Sequence, residues 1–156
     1  MLITEHKDFI SETELQTLWA LCVCSDNWRF GQKSNNDTVY PMWFQGYYDT
    51  FRSQYKPGIP EKIVEIGDRF IDLIGEEYCL VRNMLAGNTF GQDGDIHDDW
   101  PIAGESITGV LYLNRRWEDN WGGETLVYNN DNTSEVEISK FEAGKLITFD
   151  AVSYTH

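Results

Sequence analysis

The sequence predicts an α+β domain that is mainly β, with N-terminal helices packed on one sheet of a β-sandwich. Two segments of helical periodicity lie within the first 75 residues, and short alternating segments separated by turn residues fill the remainder. Aromatic residues make up 14% of the chain, which suits large packed sheets. At 156 residues we expect one domain, with a helical support region over residues 1–75 and a β core over residues 76–156.

Both predicted helices carry start and stop signals. Ser11 and Glu14 have the spacing of a capping box, and the apolar residues that follow predict a helix over residues 12–24. Pro60 can open a second helix at its first position, and Gly75 is placed to end it. The predicted buried stripe of this second helix comprises Ile63, Ile66, Phe70, Ile71 and Ile74.

The strands are predicted from alternation between turn residues. Residues 39–44 and 47–48 are aromatic and form either a strand or a substrate-facing loop. After Gly75 the predicted strands cover residues 78–85, 96–100, 106–114, 124–128, 135–138 and 145–149. Segments rich in Gly and Asn predict a loop at 87–94 and turns at 122–123 and 129–133.

The net charge and the cysteine content limit the possible binding partners and indicate the cellular compartment. The net charge, 12 − 26 = −14, opposes nucleic acid or an anionic membrane as the main partner, and fits a cationic or neutral substrate or simply a well-solvated surface. No stretch approaches the ~20 apolar residues of a membrane span, and the N-terminus has no signal-peptide run. Cys22, Cys24 and Cys79 are predicted to be buried free thiols, which indicates a reducing, cytoplasmic compartment.

A short acidic segment carries the candidate metal ligands. His97 and Asp99 are two residues apart, so on a strand both side chains project from one face, with Asp98 turned away. His156 would add a second imidazole from a distant strand, whereas His6 is predicted to lie on the surface. Two histidines and one carboxylate on one face of a metal are typical of non-haem Fe(II) oxygenases. The alternative is that His97 and Asp99 are turn residues in an acidic loop.

Four blocks of sequence extend this metal pattern. They are residues 91–99 (GQDGDIHDD), 109–114 (GVLYLN), 117–125 (WEDNWGGET) and 143–150 (AGKLITFD), the last leading to His156. In order and spacing they resemble the prolyl 4-hydroxylase-like branch of the Fe(II)/2-oxoglutarate dioxygenases, notably the small bacterial and phage-encoded versions. The resemblance covers residues 78–156 and implies a double-stranded β-helix (jelly roll). It also implies a requirement for Fe(II), 2-oxoglutarate and O₂, with ascorbate as an accessory reductant.

The resemblance assigns roles to individual residues. The implied iron ligands and catalytic residues are His97, Asp99 and His156. Tyr112 is implied to help hold the distal carboxylate of 2-oxoglutarate. The equally weighted alternative is that Tyr112 is a core tyrosine whose hydroxyl is hydrogen-bonded within the protein. Arg82 and Asn83 lie where the family lines this pocket, with surface or ladder positions as the alternative. Residues 121–124 match a structural turn.

One departure from the family pattern concerns the co-substrate. In the family, a basic residue roughly ten positions after the distal histidine pairs with the far carboxylate of 2-oxoglutarate. Here the sequence ends at His156. Either the sequence belongs to a longer gene product, or another cation substitutes. The candidate cations are Arg82, Arg115, Arg116 and Lys145.

The reaction implied by the resemblance is hydroxylation of a C–H bond, with a prolyl residue of a peptide or protein as substrate. Aromatic side chains that either grip a proline ring or serve packing are Trp43, Tyr47, Tyr48 and Trp100. Two alternatives remain: a hydroxylase of a free amino acid, and a cupin-like protein that binds a metal or small ligand without turnover. Succinate release that depends on 2-oxoglutarate and O₂ separates an oxygenase from a binding protein.

Overall fold

The described part of the chain is mainly β with two α-helices, as predicted. The computed structural model describes residues 1–33, 36, 39–89, 91–92, 96–97, 99, 106–129, 134–150 and 154–155, the last two by their backbone alone. The helices are α1 (Glu12–Val23) and α2 (Glu61–Ile74). Among the helices in these ranges, none combines the length and the apolar character of a membrane span.

Eleven short strands make up the β structure of the described residues. They are β1 (Thr4–His6), β2 (Arg29–Gln32), β3 (Met42–Gly46), β4 (Tyr48–Asp49), β5 (Gln54–Tyr55), β6 (Met84–Gly87), β7 (Ile107–Leu111), β8 (Thr125–Tyr128), β9 (Val136–Ser139), β10 (Leu146–Asp150) and β11 (Tyr154–Thr155). Strands β7 to β10 confirm the four predicted strands of the second half after residue 105, with ends shifted by at most three residues. The predicted turn at 129–133 lies outside the described residues beyond Asn129.

Local sequence signals set the ends of both helices. The Ser11 side chain accepts a hydrogen bond from the Glu14 N–H, and the Glu14 carboxylate accepts one from the Ser11 N–H at 2.9 Å, which confirms the capping box. Pro60 occupies the N-cap of α2, one residue before its predicted place, and Gly75 ends the helix with a φ of 123°. Arg69 of α2 donates from Nη2 to Glu14 Oε1 at 2.7 Å and so joins the two helices.

The first sheet has the order β1-β10-β7 and is antiparallel throughout. One of its faces packs on the helices, where Leu111 and Leu146 join a cluster with side chains of α1 and α2. The approach is close at Gly109, because a Cβ atom there would lie 2.5 Å from the ring of Phe70 on α2. Strand β1, which the sequence pattern did not predict, completes this sheet at its β10 edge.

The second sheet, of order β11-β8-β9, covers the opposite face of the first sheet. Val127 of β8 is fully buried in a cluster with Ile147 and Phe149 of β10 and with Ile3. The side chains of β10 belong to two different clusters because successive residues of a strand point to opposite faces, here in turn to the helices and to the second sheet. Helices, first sheet and second sheet are therefore three successive layers.

A third sheet, of order β2-β3-β6, and the β4-β5 pair complete the fold. Half of the aromatic segment over residues 39–44 and 47–48 forms strands, residues 42–44 in β3 and Tyr48 in β4, and the rest lies outside strands. The predicted strand over residues 78–85 is wrong, because only its last two residues belong to β6, which continues into the predicted loop. Earlier backbone groups of this segment bind other parts of the chain instead. The carbonyls of Val81 and Asn83 accept hydrogen bonds from the Thr50 hydroxyl and the Tyr47 N–H.

Cys22 is buried as predicted, whereas Cys24, Cys79 and His6 depart from their predicted burial. Cys22 is buried, and burial raises its pKa to about 11. Cys24 and Cys79 are exposed, so the prediction of buried thiols is wrong for both; Cys24 follows the last turn of α1, and Cys79 lies outside any strand. His6 is half-buried rather than on the surface, because β1 places its Nε2 3.0 Å from Thr148 Oγ1.

Candidate functional site

His97 and Asp99 lie together and are largely buried. His97 Nε2 is 3.4 Å from Asp99 Oδ1, and the two side chains expose 19% and 14% of their areas. The predicted strand over residues 96–100 is wrong at the described positions, where His97 forms an isolated β-bridge and Asp99 lies in a bend. A bend rather than strand alternation therefore brings the two side chains together. Asp98 and Trp100 lie outside the described residues.

The separation of these two donor atoms fits a shared metal ion. Donors that bind one first-row metal at about 2.1 Å lie about 3.0–3.5 Å apart. An imidazole nitrogen and a carboxylate oxygen are also the donor types that Fe(II) oxygenases use. Within the described residues no group of three or more His, Cys, Asp or Glu side chains assembles. His156, the predicted third ligand, lies outside them.

The surroundings of Asp99 keep its carboxylate ionised. Burial by itself raises the pKa of Asp99, but hydrogen bonds from His97 and Thr108 and the charge of Arg82 outweigh burial, so the pKa is lowered. Arg82 Nη2 donates to Asp99 Oδ1 at 3.2 Å. Since a carboxylate must be deprotonated to bind a metal, the site holds Asp99 in the form that binds a cation.

The two predicted pocket residues before β6 point to different neighbours. Arg82 reaches Asp99, although 54% of its side chain is exposed. Asn83 Nδ2 donates to Tyr55 Oη at 3.4 Å, and its backbone carbonyl accepts from the Tyr47 N–H at 2.8 Å. The structure therefore brings Arg82 to the candidate site, whereas the described contacts of Asn83 tie β6 to β4 and β5.

Tyr112 is buried directly after β7, between the first and second sheets. Its side chain is 7% exposed, and its hydroxyl lies 2.7 Å from Thr125 Oγ1 on β8. Tyr112 and Thr108, which contacts Asp99, are four residues apart and so share one face of the strand. Burial raises the pKa of Tyr112, so its hydroxyl keeps its proton at neutral pH.

A half-buried ion pair, between the buried Lys145 and the partly exposed Glu5, adjoins Tyr112, and the sequence analysis missed it. Lys145 is 3% exposed, and its Nζ donates to Glu5 Oε1 at 2.8 Å and to the Lys140 carbonyl at 2.7 Å. Ser139, which is 1% exposed, donates to the same Glu5 oxygen at 2.7 Å. No local sequence signal reveals this pair, because Glu5 and Lys145 are 140 positions apart and meet only where β1 pairs with β10.

Each of the four candidate cations for the far carboxylate is already paired with a carboxylate of the chain. The pairs are Arg82–Asp99, Arg115–Glu12, Arg116–Glu118 and Lys145–Glu5. The Arg115 and Arg116 pairs are on the surface, whereas the ammonium of Lys145 is buried. An anionic ligand at any of these cations has to compete with, or add to, an existing ion pair.

The described aromatic candidates differ in their access to a ligand. Tyr47 is 8% exposed and belongs to the core between the helices and the first sheet. Tyr48 packs edge-on against Tyr55, with ring centroids 5.2 Å apart. Trp43 is 39% exposed beside Phe30, with ring centroids 5.2 Å apart. Among these three candidates, Trp43 presents the most ring surface to solvent.

The predicted turn at residues 121–124 is confirmed. A 3₁₀ turn, Asp119–Trp121, leads into Gly122 and Gly123, whose φ angles are 73° and 85°. Trp117 Nε1 donates to the Gly122 carbonyl at 2.7 Å, and a Cβ atom at Gly123 would lie 2.7 Å from the Trp117 ring. The glycines are therefore required by backbone conformation and by space, and they direct the chain into β8.

Comparison with known proteins relates this fold and site to a family. Residues 81–156 match the family model of the 2OG-Fe(II) oxygenase superfamily. The crystal structure of a Pseudomonas putida prolyl-4-hydroxylase is similar, with a TM-score of 0.67 and 17% identity over 99% of this chain and 83% of that chain. A search of the curated proteins gave no match.

The mainly β architecture is thus similar to the fold of that prolyl-4-hydroxylase structure. Residues 81–156, just under half of the chain, match a 2OG-Fe(II) oxygenase domain. The chain is a 2-oxoglutarate-dependent dioxygenase, as the resemblance of the four sequence blocks implied. The matched superfamily implies Fe(II) as the cofactor and 2-oxoglutarate and O₂ as co-substrates.

Proposed function

We propose that this dioxygenase hydroxylates a C–H bond of a prolyl residue in a peptide or protein, as a single oxygenase domain over residues 1–156. The observation that carries the proposal is the His97–Asp99 pair, whose donor atoms lie 3.4 Å apart within the matched segment. The prolyl substrate rests on the family resemblance and on the likeness to the prolyl-4-hydroxylase structure. Two facing sheets support a double-stranded β-helix core over residues 76–156.

The proposed iron ligands are His97, Asp99 and His156. Asp99 supplies an ionised carboxylate and His97 an imidazole nitrogen at a ligand-like separation. Strand β11, which ends at Thr155 directly before His156, pairs with β8 in the sheet that faces β7. Bound iron supplies the chemistry that couples decarboxylation of 2-oxoglutarate by O₂ to hydroxylation, with ascorbate as an accessory reductant.

Side chains of the chain prepare the site for 2-oxoglutarate. The neutral hydroxyl of Tyr112 is proposed to donate a hydrogen bond to the distal carboxylate. Arg82 is proposed to line the pocket beside Asp99, to which it donates at 3.2 Å. The hydrogen bond of Asn83 with Tyr55 favours a structural role for Asn83 over a role in co-substrate binding.

Among the three described aromatic candidates, Trp43 is the most accessible to a prolyl substrate. Its indole is partly exposed and braced by Phe30, and exposed aromatic faces are common docking surfaces for proline rings. The net charge of −14 attracts substrates with basic residues near the target proline. We therefore propose extended, basic, proline-containing peptides as the substrate class.

Succinate release tests this proposal directly. Fe(II)-loaded protein is incubated with 2-oxoglutarate and O₂ and with either proline-containing peptides or free proline, and succinate and hydroxyproline are measured. We expect both products with peptides, and a loss of about 100-fold or more in His97→Ala and Asp99→Ala, because each variant removes a metal ligand. His6→Ala is the matched control, since His6 contacts Thr148 and lies outside the pair.

The possible results separate the competing functions. Hydroxyproline from free proline but not from peptides would identify a free amino acid hydroxylase. Iron content and turnover that are unchanged in both His97→Ala and Asp99→Ala would overturn the metal assignment. Succinate release without hydroxylation of any proline would keep the dioxygenase and reject the prolyl substrate.

A further inference from the structure

An open cleft of about 520 Å³ lies between the β4–β5 hairpin and helix α2. The residues that line it include Tyr48, Tyr55, Asp68, Ile71, Asp72 and Leu80. The hairpin lies directly on the helix here, because a Cβ atom at Gly67 of α2 would collide with the Tyr55 hydroxyl. Aromatic, apolar and charged groups thus meet in one concave surface, as they do in ligand sites.

Two carboxylates of α2 form the charged wall of the cleft. Asp68 and Asp72 are four residues apart, so they are neighbours on one face of the helix, with Ile71 beside them. Like charges at this spacing destabilise a helix. The basic side chains of α2 do not offset them, because both bind glutamates of the two helices. No ion pair among the described residues includes either aspartate.

The basic residues of the hairpin do not fill the cleft either. Arg52 pairs with Asp49 at 3.7 Å, and Lys56 Nζ lies against Gly46 of β3. Among the described side chains, none that lines the cleft is basic. The part of the chain that the structure describes therefore leaves this negative wall without a counter-charge.

Aromatic rings form the wall on the side of the hairpin. Tyr48 and Tyr55 are cross-strand partners, and their rings meet edge to face with centroids 5.2 Å apart and planes at 89°. Aromatic faces and carboxylates both attract organic cations, the rings through their quadrupole. A guanidinium fits such a site best, because its five N–H donors can serve two carboxylates at once and its plane stacks on an aromatic ring.

The cleft adjoins the candidate metal site along the chain. Leu80, which lines the cleft, is two residues before Arg82, whose guanidinium donates to Asp99 at 3.2 Å. Two residues of extended chain span about 7 Å. The Thr50 hydroxyl donates to the Val81 carbonyl at 2.7 Å and so ties this segment to the hairpin. A substrate peptide therefore needs only a few residues between its target and a side chain in the cleft.

We propose that this cleft binds an arginine side chain of the peptide substrate. The guanidinium lies between Asp68 and Asp72, and the apolar stem of the arginine covers Ile71 and Leu80. The inference rests on the proposed function, which it deepens by giving the basic residue of the substrate a specific place. Asp68 and Asp72 determine specificity, since they hold the peptide without touching the reacting atoms.

Binding of fluorescent peptides to the full Fe(II)-loaded chain under anaerobic conditions tests the cleft without turnover. Each peptide contains one proline and one arginine, placed one to six positions apart, and fluorescence anisotropy gives its Kd. We expect the best arginine peptide to bind about tenfold more tightly than the same peptide with citrulline, which keeps the shape of arginine but lacks its charge. Lysine should be intermediate, because an ammonium lacks the planar fork of donors.

Substitutions on α2 locate the binding site. Asp68→Asn and Asp72→Asn should each raise the Kd of the arginine peptide about threefold, and the double variant about tenfold, as for ion pairs at a partly exposed site. The Kd of the citrulline peptide should not change. Glu65→Gln is the matched control, because it removes the same charge from α2 at a position that pairs with Lys62 outside the cleft. Its Kd should equal that of the wild type.

The results separate the cleft from the proposed function. Equal Kd values for the arginine and citrulline peptides would overturn the cleft. A loss in Glu65→Gln as large as in the aspartate variants would also overturn it, because binding would then follow the net charge alone. Selective binding of arginine peptides whose proline is never hydroxylated would support the cleft and reject the prolyl substrate. Hydroxylation with one kcat/KM for arginine and citrulline peptides would support the proposed function and reject the cleft.

Discussion

Asp99 is the residue on which the candidate site depends most, because three groups converge on its buried carboxylate. His97 and Arg82 both approach Oδ1, at 3.4 Å and 3.2 Å, and Thr108 adds a hydrogen bond from β7. Hydrogen bonds of this kind orient a ligand before the metal binds. Arg82, which the sequence analysis assigned to the co-substrate, is thus placed to act on Asp99, the proposed metal ligand, as well.

Replacing Arg82 by Gln separates these two roles. We expect the Kd for Fe(II) to rise about tenfold, because Asp99 loses a partner that holds its carboxylate in place. The half-exposed charge of Arg82 is screened by solvent, so the relief of its repulsion toward the metal is the smaller effect. Equilibrium titration with Fe(II), with Mn(II) as an oxygen-stable substitute, measures this constant.

Arg52→Gln is the control for the Arg82 variant, since Arg52 forms an exposed pair with Asp49. An unchanged Kd for Fe(II) together with weaker binding of 2-oxoglutarate would contradict this prediction. It would assign Arg82 to the co-substrate alone.

Among the elements, the two helices form a unit that supports the first sheet. Glu14 closes the capping box of α1 and also binds Arg69 of α2, whose Nη1 donates to the Phe9 carbonyl at 3.0 Å. The hydrogen bond from Arg69, with those from Ser11, lowers the pKa of Glu14 from its ordinary value of 4.5 to about 2. One carboxylate therefore fixes the start of α1 and its contact with α2.

This lowered pKa predicts how stability depends on pH. Because the folded-state pKa lies below the unfolded value, the contribution of Glu14 is complete above about pH 4.5 and is lost as the pH falls through about 2. Glu14→Gln should reduce the free energy of unfolding by about 1–2 kcal/mol at pH 7. Its deficit relative to the wild type should shrink between pH 4.5 and 2, as measured by urea unfolding.

Glu12→Gln is the matched control, because Glu12 lies in the same first turn and makes only exposed contacts. A deficit for Glu14→Gln that stays constant over this pH range would show that the Arg69 contact does not depend on the charge of Glu14.

At the scale of the whole molecule, the N-terminal strand joins segments that are far apart in the sequence. Strand β1 pairs with β10, and Glu5 binds both Lys145 and Ser139 of β9. Residues before position 81 thus complete a sheet and an ion pair of the segment that matches the superfamily. The family segment and the N-terminal half are therefore expected to unfold as one cooperative unit.

Glu5→Gln tests this long-range connection. The substitution leaves the buried ammonium of Lys145 without its counter-charge, but solvent screens the 40% exposed Glu5, so we expect the free energy of unfolding to fall by only about 1–2 kcal/mol. The double variant Glu5→Gln/Lys145→Met should recover most of the loss, because it removes the buried charge. Urea unfolding followed by fluorescence measures both effects; a double variant as unstable as Glu5→Gln would indicate that the strand contact, not the charge, matters.

The sequence by itself determined those features that depend on neighbouring residues. The capping box at Ser11 and Glu14, the end of α2 at Gly75 and the glycine turn at residues 122–123 are all set by groups within a few positions of each other. The His97–Asp99 pair belongs to the same class, since two positions of spacing bring the side chains close in a bend as well as in a strand. The four spaced sequence blocks were sufficient to predict the superfamily whose model residues 81–156 match.

Only the tertiary structure decided the contacts that surround this site. Strand β1 has no alternating pattern long enough to predict it, and it forms because β10 offers an edge to pair with. The burial of Lys145 and the position of Tyr112 beside Thr125 and Ser139 follow from the facing of two sheets. The physical reason is distance along the chain: local propensities act over a few residues, whereas these hydrogen bonds and ion pairs join positions that only packing brings together.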